Sequence, residues 1–281
     1  MVREISAQAL SQLVAQLCVQ ANTVLPQDMR QAICQACQGE RSPVGQRILH
    51  DMQDNYHIAQ EEGLPICQDT GMAVVFVDWG QDCHLTGGTL EEAVNQGVAQ
   101  GYVEGHLRLS VVGDPLRRVN TNNNTPAMLH LRMVPGDQVR VTVAPKGFGS
   151  ENMTRLKMFK PSATLQEVED FVVECVSMAG SNPCPPVVVG VGLGGTSEMS
   201  ALLAKRALLR PAGAGSDDPY YREMEGRLLE RINRLGIGPQ GLGGTVTALS
   251  VAILPCATHI AGLPCCVNLG CHVTRHAEGI L

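Results

Sequence analysis

Aromatic side chains are scarce in this sequence: four Phe, four Tyr and one Trp make up 3% of 281 residues. A core with so few rings has to be filled by Val, Leu, Ile, Ala and Met, which stabilise by buried area and not by ring stacking. Charge is thin as well, at 17%, against 44% hydrophobic residues. That balance excludes a disordered chain, because enough apolar surface is present to offset the entropy of ordering it. The net charge is −6 and no run of Lys or Arg interrupts it, which excludes the basic stripe of a nucleic-acid binder. No stretch approaches the roughly 18 apolar residues that cross a bilayer. The opening MVREISAQALSQLVAQL is amphipathic and carries no apolar secretory core. The expectation is a cytoplasmic protein that engages neither membrane nor nucleic acid.

What the chain does have is 30 glycines, 16 prolines and 11 cysteines. Glycine and proline at that level imply many tight loops, where sites are commonly carried. An odd number of cysteines without close-set framework spacing argues against disulfides and for metal ligands, reactive thiols or plain buried packing.

Apolar spacing predicts helices over residues 6–22, 26–38 and 43–62, with Ser6 and Ser42 suited to capping and Pro26 to a first turn. MAVVFVDWG (72–80) reads as a buried strand, and residues 89–106 as a helix capped by Thr89. PAMLHLRMV and DQVRVTVA alternate around Pro135-Gly136 and predict an antiparallel hairpin. Helices follow at 164–179, 197–209 and 219–235, with strand-like segments at 187–192, 246–255 and 264–269; RPAGAGSDDPYY (210–221) reads as a surface loop. The fold class expected is α/β or α+β: a mixed β-sheet flanked by helices, with a helical N-terminal segment, and residues 1–281 as a single domain.

Gly190, Gly192 and Gly195 after an apolar strand outline a dinucleotide fingerprint, and Gly236, Gly238 and Gly241 repeat it. A nicotinamide fold also needs a second strand ending in an acid about 20 residues on. Asp217 and Asp218 instead lie in a Gly/Pro-rich loop with no strand before them. The plainer expectation is that these glycines turn backbone amides toward an anion or allow close packing. Cys34-x-x-Cys37 falls inside a helical segment, and Cys265-Cys266 inside an apolar run, so core packing is expected for both. Cys67 (LPICQDTG), Cys184 (NPCPPVVVG) and Cys271 (VNLGCHVTRHAEG) differ, each occupying a loop at a strand edge among Pro, Gly and polar residues. They are far apart in sequence, which excludes a local zinc knuckle.

PICQDTGMAVVFV, NTPAMLH, VAPKGFGSENMTRLKMF, NPCPPVVVGVGLGGTSE, GIGPQGLGG and GCHVTRHAEG, in this order, closely resemble the α subunit of two-subunit class I fumarate hydratases. The resemblance covers residues 2 to 281. It implies a [4Fe–4S] cluster held by Cys67, Cys184 and Cys271, with one iron left open as a Lewis acid. It further implies that Gln68 and Arg108 bind a small dicarboxylate, fumarate or malate, that Asp69 and His259 are catalytic, and that Lys146, Gly147, Gly149 and Ser150 meet a carboxylate or the cluster. Without the resemblance, Arg108 would read as a surface ion pair, Asp69 as a turn residue and His259 as a core histidine. In single-chain members the polypeptide continues into a second domain, so the resemblance implies a separate β subunit and a hetero-oligomer. The α subunit of L-tartrate dehydratase shares the pattern, and a cluster-bearing scaffold without catalysis is the alternative from another class.

Overall fold

The computed structural model describes residues 2–281. In chain order the elements are β1 (Arg3–Ser6), α1 (Ala7–Thr23), α2 (Gln27–Gly39), α3 (Pro43–Glu62), β2 (Met72–Gly80) and β3 (Cys83–Thr86). Then come α4 (Leu90–Glu104), β4 (Met128–Val134), β5 (Val139–Lys146), the single turn α5 (Phe148–Glu151), β6 (Arg155–Phe159) and α6 (Leu165–Ala179). The chain finishes with β7 (Val187–Gly194), α7 (Ser197–Ala207), α8 (Pro219–Asn233), β8 (Ala248–Cys256), β9 (Leu263–Gly270) and β10 (Ala277–Ile280). Helices on mixed sheets, opened by a helical segment, are the fold class that the sequence implies, with the β-structure divided between two four-stranded sheets and a two-stranded pair.

Packing separates two compact units. The first comprises the segment ending at Pro26, Tyr56–Phe148 and Arg275–Leu281. Its sheet has the order β10-β5-β2-β4. Leu10, Val14, Leu17 and Cys18 of α1 and Val94, Val98 and Tyr102 of α4 form one apolar core with Val75, Val77, Val139, Val141 and Val143 of that sheet. Both helix starts follow from local chemistry: Ser6 Oγ accepts from Ala9 N–H at 3.0 Å, and Thr89 and Glu92 form a reciprocal capping box.

The expected hairpin is not formed. β4 and β5 lie on opposite edges of β2, β4 parallel to it and β5 antiparallel. The reason is β2 itself, whose residues are nearly all buried, so it takes a central place with a neighbour on each edge. The Pro135–Gln138 connection consequently crosses the end of β2 at Gly80. A Cβ there would stand 2.5 Å from Gly136 O and 2.7 Å from Gln138 O, whereas glycine lets its own N–H donate to Gln138 O at 2.9 Å.

The second unit comprises Gln27–Asn55 and Gly149–Thr274, with a sheet ordered β6-β9-β7-β8. Phe159, Phe171, Val172, Cys175, Met224, Leu228 and Ile232 pack with Val189, Val191, Ile253, Val267 and Leu269 in its core. Cys265 and Cys266 are fully buried on β9, as expected. In the Cys34-x-x-Cys37 pair the core expectation holds for Cys37 alone, since Cys34 is exposed. The buried stripe of α2 is Met29, Ile33 and Cys37, and position 34 falls off it.

Both glycine motifs serve the chain itself. A Cβ on Gly190 would sit 2.1 Å from Ala204 O, and one on Gly192 1.9 Å from Ser200 O, so helix α7 rides directly on β7. In the later copy a Cβ on Gly238 would sit 2.2 Å from the Gly243 carbonyl carbon and one on Gly241 2.4 Å from Ser181 Cβ; just beyond that copy the Glu40 carboxylate, 2% exposed, accepts N–H bonds from Arg41 and Ser42 at 2.8 Å and from Thr245 and Val246 at 2.9 Å. Gly192→Ala is expected to cost about 3 kcal/mol through overpacking and to lower the melting temperature by roughly 6–12 °C. A urea unfolding series checks it; a loss under about 0.5 kcal/mol, the range of neutral substitutions, would contradict so close an approach.

Candidate active site

In the first unit the loop before β2 carries Cys67, Gln68 and Asp69, and hydrogen bonds at Ile66, Asp69 and Thr70 anchor its backbone. Ile66 N–H donates to Asn22 O at 2.9 Å. Tyr102, fully buried, donates its hydroxyl to Thr70 O at 2.8 Å. Arg275, 4% exposed, donates from Nη2 to Asp69 O at 2.7 Å and from Nε to Asn22 Oδ1 at 3.1 Å. Gly71 is left-handed at φ 74°, and a Cβ there would strike the Lys146 backbone at 2.7 Å.

These anchors gather most of the expected residues of that unit. Cys67 is half-buried, with Sγ 3.3 Å from Gln68 Oε1. The Asp69 carboxylate accepts from Gly71 N–H at 3.0 Å and from Phe148 N–H at 2.9 Å, which fixes it against the Gly147 turn. Thr70 Oγ1 accepts from Arg108 N–H at 2.9 Å, so the arginine is braced to the cysteine loop through its backbone while its side chain is exposed. Lys146 is buried, with Nζ 3.3 Å from Gly147 O.

In the second unit two cysteine loops are stitched together. Cys184 is exposed and left-handed at φ 54°, a conformation that non-glycine residues adopt at some cost and usually for a reason. Its carbonyl accepts from His272 N–H at 3.4 Å and lies 3.0 Å from His272 Nδ1, which places the Cys271 loop beside it. Gln240 bonds to the same strap, from N–H to Pro185 O at 2.7 Å, and its Nε2 lies 3.3 Å from His272 Nδ1. Cys271 O accepts from Thr274 N–H at 2.9 Å and Thr274 Oγ1 at 2.8 Å. Gly149 is exposed and Ser150 buried; next to them Glu151 pairs with Lys205 and accepts from Asn268 Nδ2 at 2.9 Å.

His259 stands exposed in the β8–β9 turn, so it is not a core histidine. Ala261 N–H donates to its Nδ1 at 3.1 Å, which in the neutral ring leaves the proton on Nε2. Sequence reasoning did not single out Arg275, Tyr102, Gln240 or His272 as supports. Arg275 and His272 lie inside the GCHVTRHAEG segment, which offered a signal; Tyr102 lies on an amphipathic helix and offered none.

The donor set suits a thiolate-bound group. Burial pushes the thiols of Cys18, Cys175 and Cys265 up to about 12 and that of Cys266 up to about 11, which keeps them protonated. Cys67, Cys184 and Cys271 are instead half-buried or exposed on loops held by backbone hydrogen bonds. Within neither unit do three His, Cys, Asp or Glu side chains among the described residues converge to hold a metal ion by themselves.

The family model for fumarate hydratase (Fumerase) matches residues 11–280. The putative L(+)-tartrate dehydratase subunit alpha of Methanocaldococcus jannaschii is 38% identical over 274 residues, covering 95% of this chain and 96% of that one. The L(+)-tartrate dehydratase subunit alpha of Escherichia coli (strain UTI89) is 36% identical over 270 residues, covering 95% and 88%; that of strain K12 is 35% identical over the same span. The chain therefore belongs to the fumarate hydratase family, the hydro-lyases that also include the α subunits of tartrate dehydratases.

Proposed function

We propose that residues 1–281 form the single catalytic α-subunit domain of a cytoplasmic fumarate hydratase, which interconverts fumarate and L-malate with an active site completed by a separate β subunit. The observation that carries this reading is the bracing of the Arg108 backbone to the Cys67-Gln68-Asp69 loop through Thr70; in this reading its guanidinium meets a substrate carboxylate near the thiol ligand. Relatives named as subunit alpha support the two-subunit arrangement. No helix among the described residues is long and apolar enough to cross a membrane.

Hydration adds hydroxide to one alkene carbon and a proton to its neighbour, with no net redox change. Cys67, Cys184 and Cys271 would hold a [4Fe–4S] cluster, which when bound supplies an open iron to polarise the water or hydroxyl oxygen. The chain's own residues bind the substrate and handle the oxygen-side proton, and the proton exchanged at the neighbouring carbon falls to a base supplied by the β subunit. Arg108 binds one substrate carboxylate through paired N–H donors, and the Gln68 amide donates beside it. Lys146, Gly147, Gly149 and Ser150 provide positive charge and N–H or O–H donors for the other carboxylate or the cluster. Asp69, held by the Gly71 and Phe148 amides, orients bound water and these donors. His259 offers its proton from Nε2 to the departing hydroxyl or takes one up there in the reverse direction.

L-tartrate dehydration is a second reading, favoured by the names of the relatives at 35–38% identity. A competition assay on the assembled complex decides: turnover of fumarate preferred by at least about tenfold in kcat/KM is the expected result, and exclusive turnover of L-tartrate would assign the chain to the second reading.

A further inference from the structure

Within the first unit, the segment between α4 and β4 folds into a finger that substrate chemistry does not explain. Its two sides meet at a bridge between Val112 and Asn120, with Gly113 N–H donating to Val119 O at 2.8 Å and Thr121 N–H to Val111 O at 3.0 Å. Asp114 locks the tip: its Oδ1 accepts from Leu116 N–H at 3.0 Å and Arg117 N–H at 2.6 Å, and its carbonyl from Arg118 N–H at 3.0 Å. The foot is clamped as firmly. Ser110 N–H donates to Asn124 Oδ1 at 2.8 Å, and Asn124, fully buried, donates from Nδ2 to Gly71 O at 3.1 Å.

A loop held this tightly nevertheless turns all of residues 115–120 to solvent. Leu116 is 91% exposed and Val119 69%. Arg117 and Arg118 lie between them, and Arg118 is left-handed at φ 60°, where glycine or asparagine would cost less. A rigid tip combining apolar side chains with two guanidinium groups, on a chain of net charge −6, has the chemistry of an anchor for an acidic partner.

We propose that this finger is the α subunit's anchor for the β subunit, seating Leu116 and Val119 on an apolar floor between acidic walls. The inference rests on the two-subunit reading above and adds where that partner binds. Because the foot is bonded to Gly71 and Arg108 lies just before it, an anchored β chain is held beside the loop that carries Cys67, Gln68 and Asp69. The tip is too small to supply the about 800 Å² per partner of a stable interface, so it contributes the anchor and not the whole contact.

The test coexpresses tagged α with the cognate β subunit and measures association by sedimentation at several salt concentrations. The triple variant Leu116→Ser, Arg117→Ser, Arg118→Asn keeps a residue that tolerates the left-handed turn, and is expected to weaken association by about 100-fold and flatten its salt dependence. Arg117→Glu alone, at an exposed position of ordinary backbone, is expected to weaken it about tenfold and keeps the test decisive if the triple variant melts early. Variants that bind β within threefold of wild type, while circular dichroism shows an intact fold, would overturn the proposal. So would loss of α self-association with β binding unchanged, which would make a second copy the occupant. Failure of wild-type α to capture β at all would instead overturn the two-subunit reading itself.

Discussion

Replacing Cys184 by serine is expected to abolish both iron retention and hydratase activity while leaving the chain folded. The residue is exposed, and serine matches cysteine in shape, so the left-handed loop tethered by His272 keeps its hydrogen bonds. What is lost is a thiolate, and serine is a far poorer ligand for iron. Wild-type complex purified without air should contain about four iron and four acid-labile sulfide per chain, and turnover in the variant should fall by at least about 1,000-fold, a loss comparable with removal of a central catalytic group. Cys67→Ser and Cys271→Ser should behave alike. Cys34→Ser, off the buried stripe of α2, should change neither quantity. Iron retained by the Cys184 variant, or lost from the Cys34 variant, would show the ligand assignment to be wrong.

The second large effect concerns stability. Glu40→Ala removes the anion around which four backbone N–H groups and the Thr245 hydroxyl are arranged. Leaving those donors without an acceptor in a buried site is expected to cost about 3–5 kcal/mol and to lower the melting temperature by roughly 10 °C or more. Glu40→Gln keeps the shape but presents N–H to N–H, and should recover only part of the loss. Burial alone would raise this carboxyl's pKa, but the amides of Ser42, Thr245, Val246 and Arg41 outweigh it and hold it below the ordinary value of 4.5. A depressed folded-state pKa means that the unfolded chain binds more protons through that window. The stabilisation is therefore complete above pH 4.5 and drains away as pH falls through the folded-state value. Melting curves of wild type and Glu40→Gln should converge in acid; a gap that widens as pH falls would contradict the sign.

Much of the helical architecture was legible because its signals are local. Thr89 with Glu92, and Thr164 with Glu167, announce helix starts within four residues, and the apolar period of α1 needs no partner to be read. Strand pairing is not local. The alternation in β4 and β5 marks two strands but does not say that β2, from 54 positions earlier in the register Val74 to Met128, will lie between them. The strands β1, β3, β6 and β10 are four or five residues long and exist because an edge receives them, so composition gave no hint of them. At the site, Gln68 and Asp69 come with Cys67 by adjacency. The tie from Thr70 to Arg108, and the grip of Arg275 and Tyr102 on the same loop, are tertiary and leave no trace in spacing. The glycine motifs show the converse case, a loud signal whose meaning is close packing.

The last strand has a consequence for synthesis. β10 pairs with β5 from Ala277 to Ile280, and Arg275, which secures Asp69, lies just ahead of it. A nascent chain emerging from the ribosome must therefore carry the Cys67 loop without this brace, and with its sheet one strand short, until residues 275–280 have been translated. The setting of that thiol therefore waits on Arg275, 206 positions beyond Asp69.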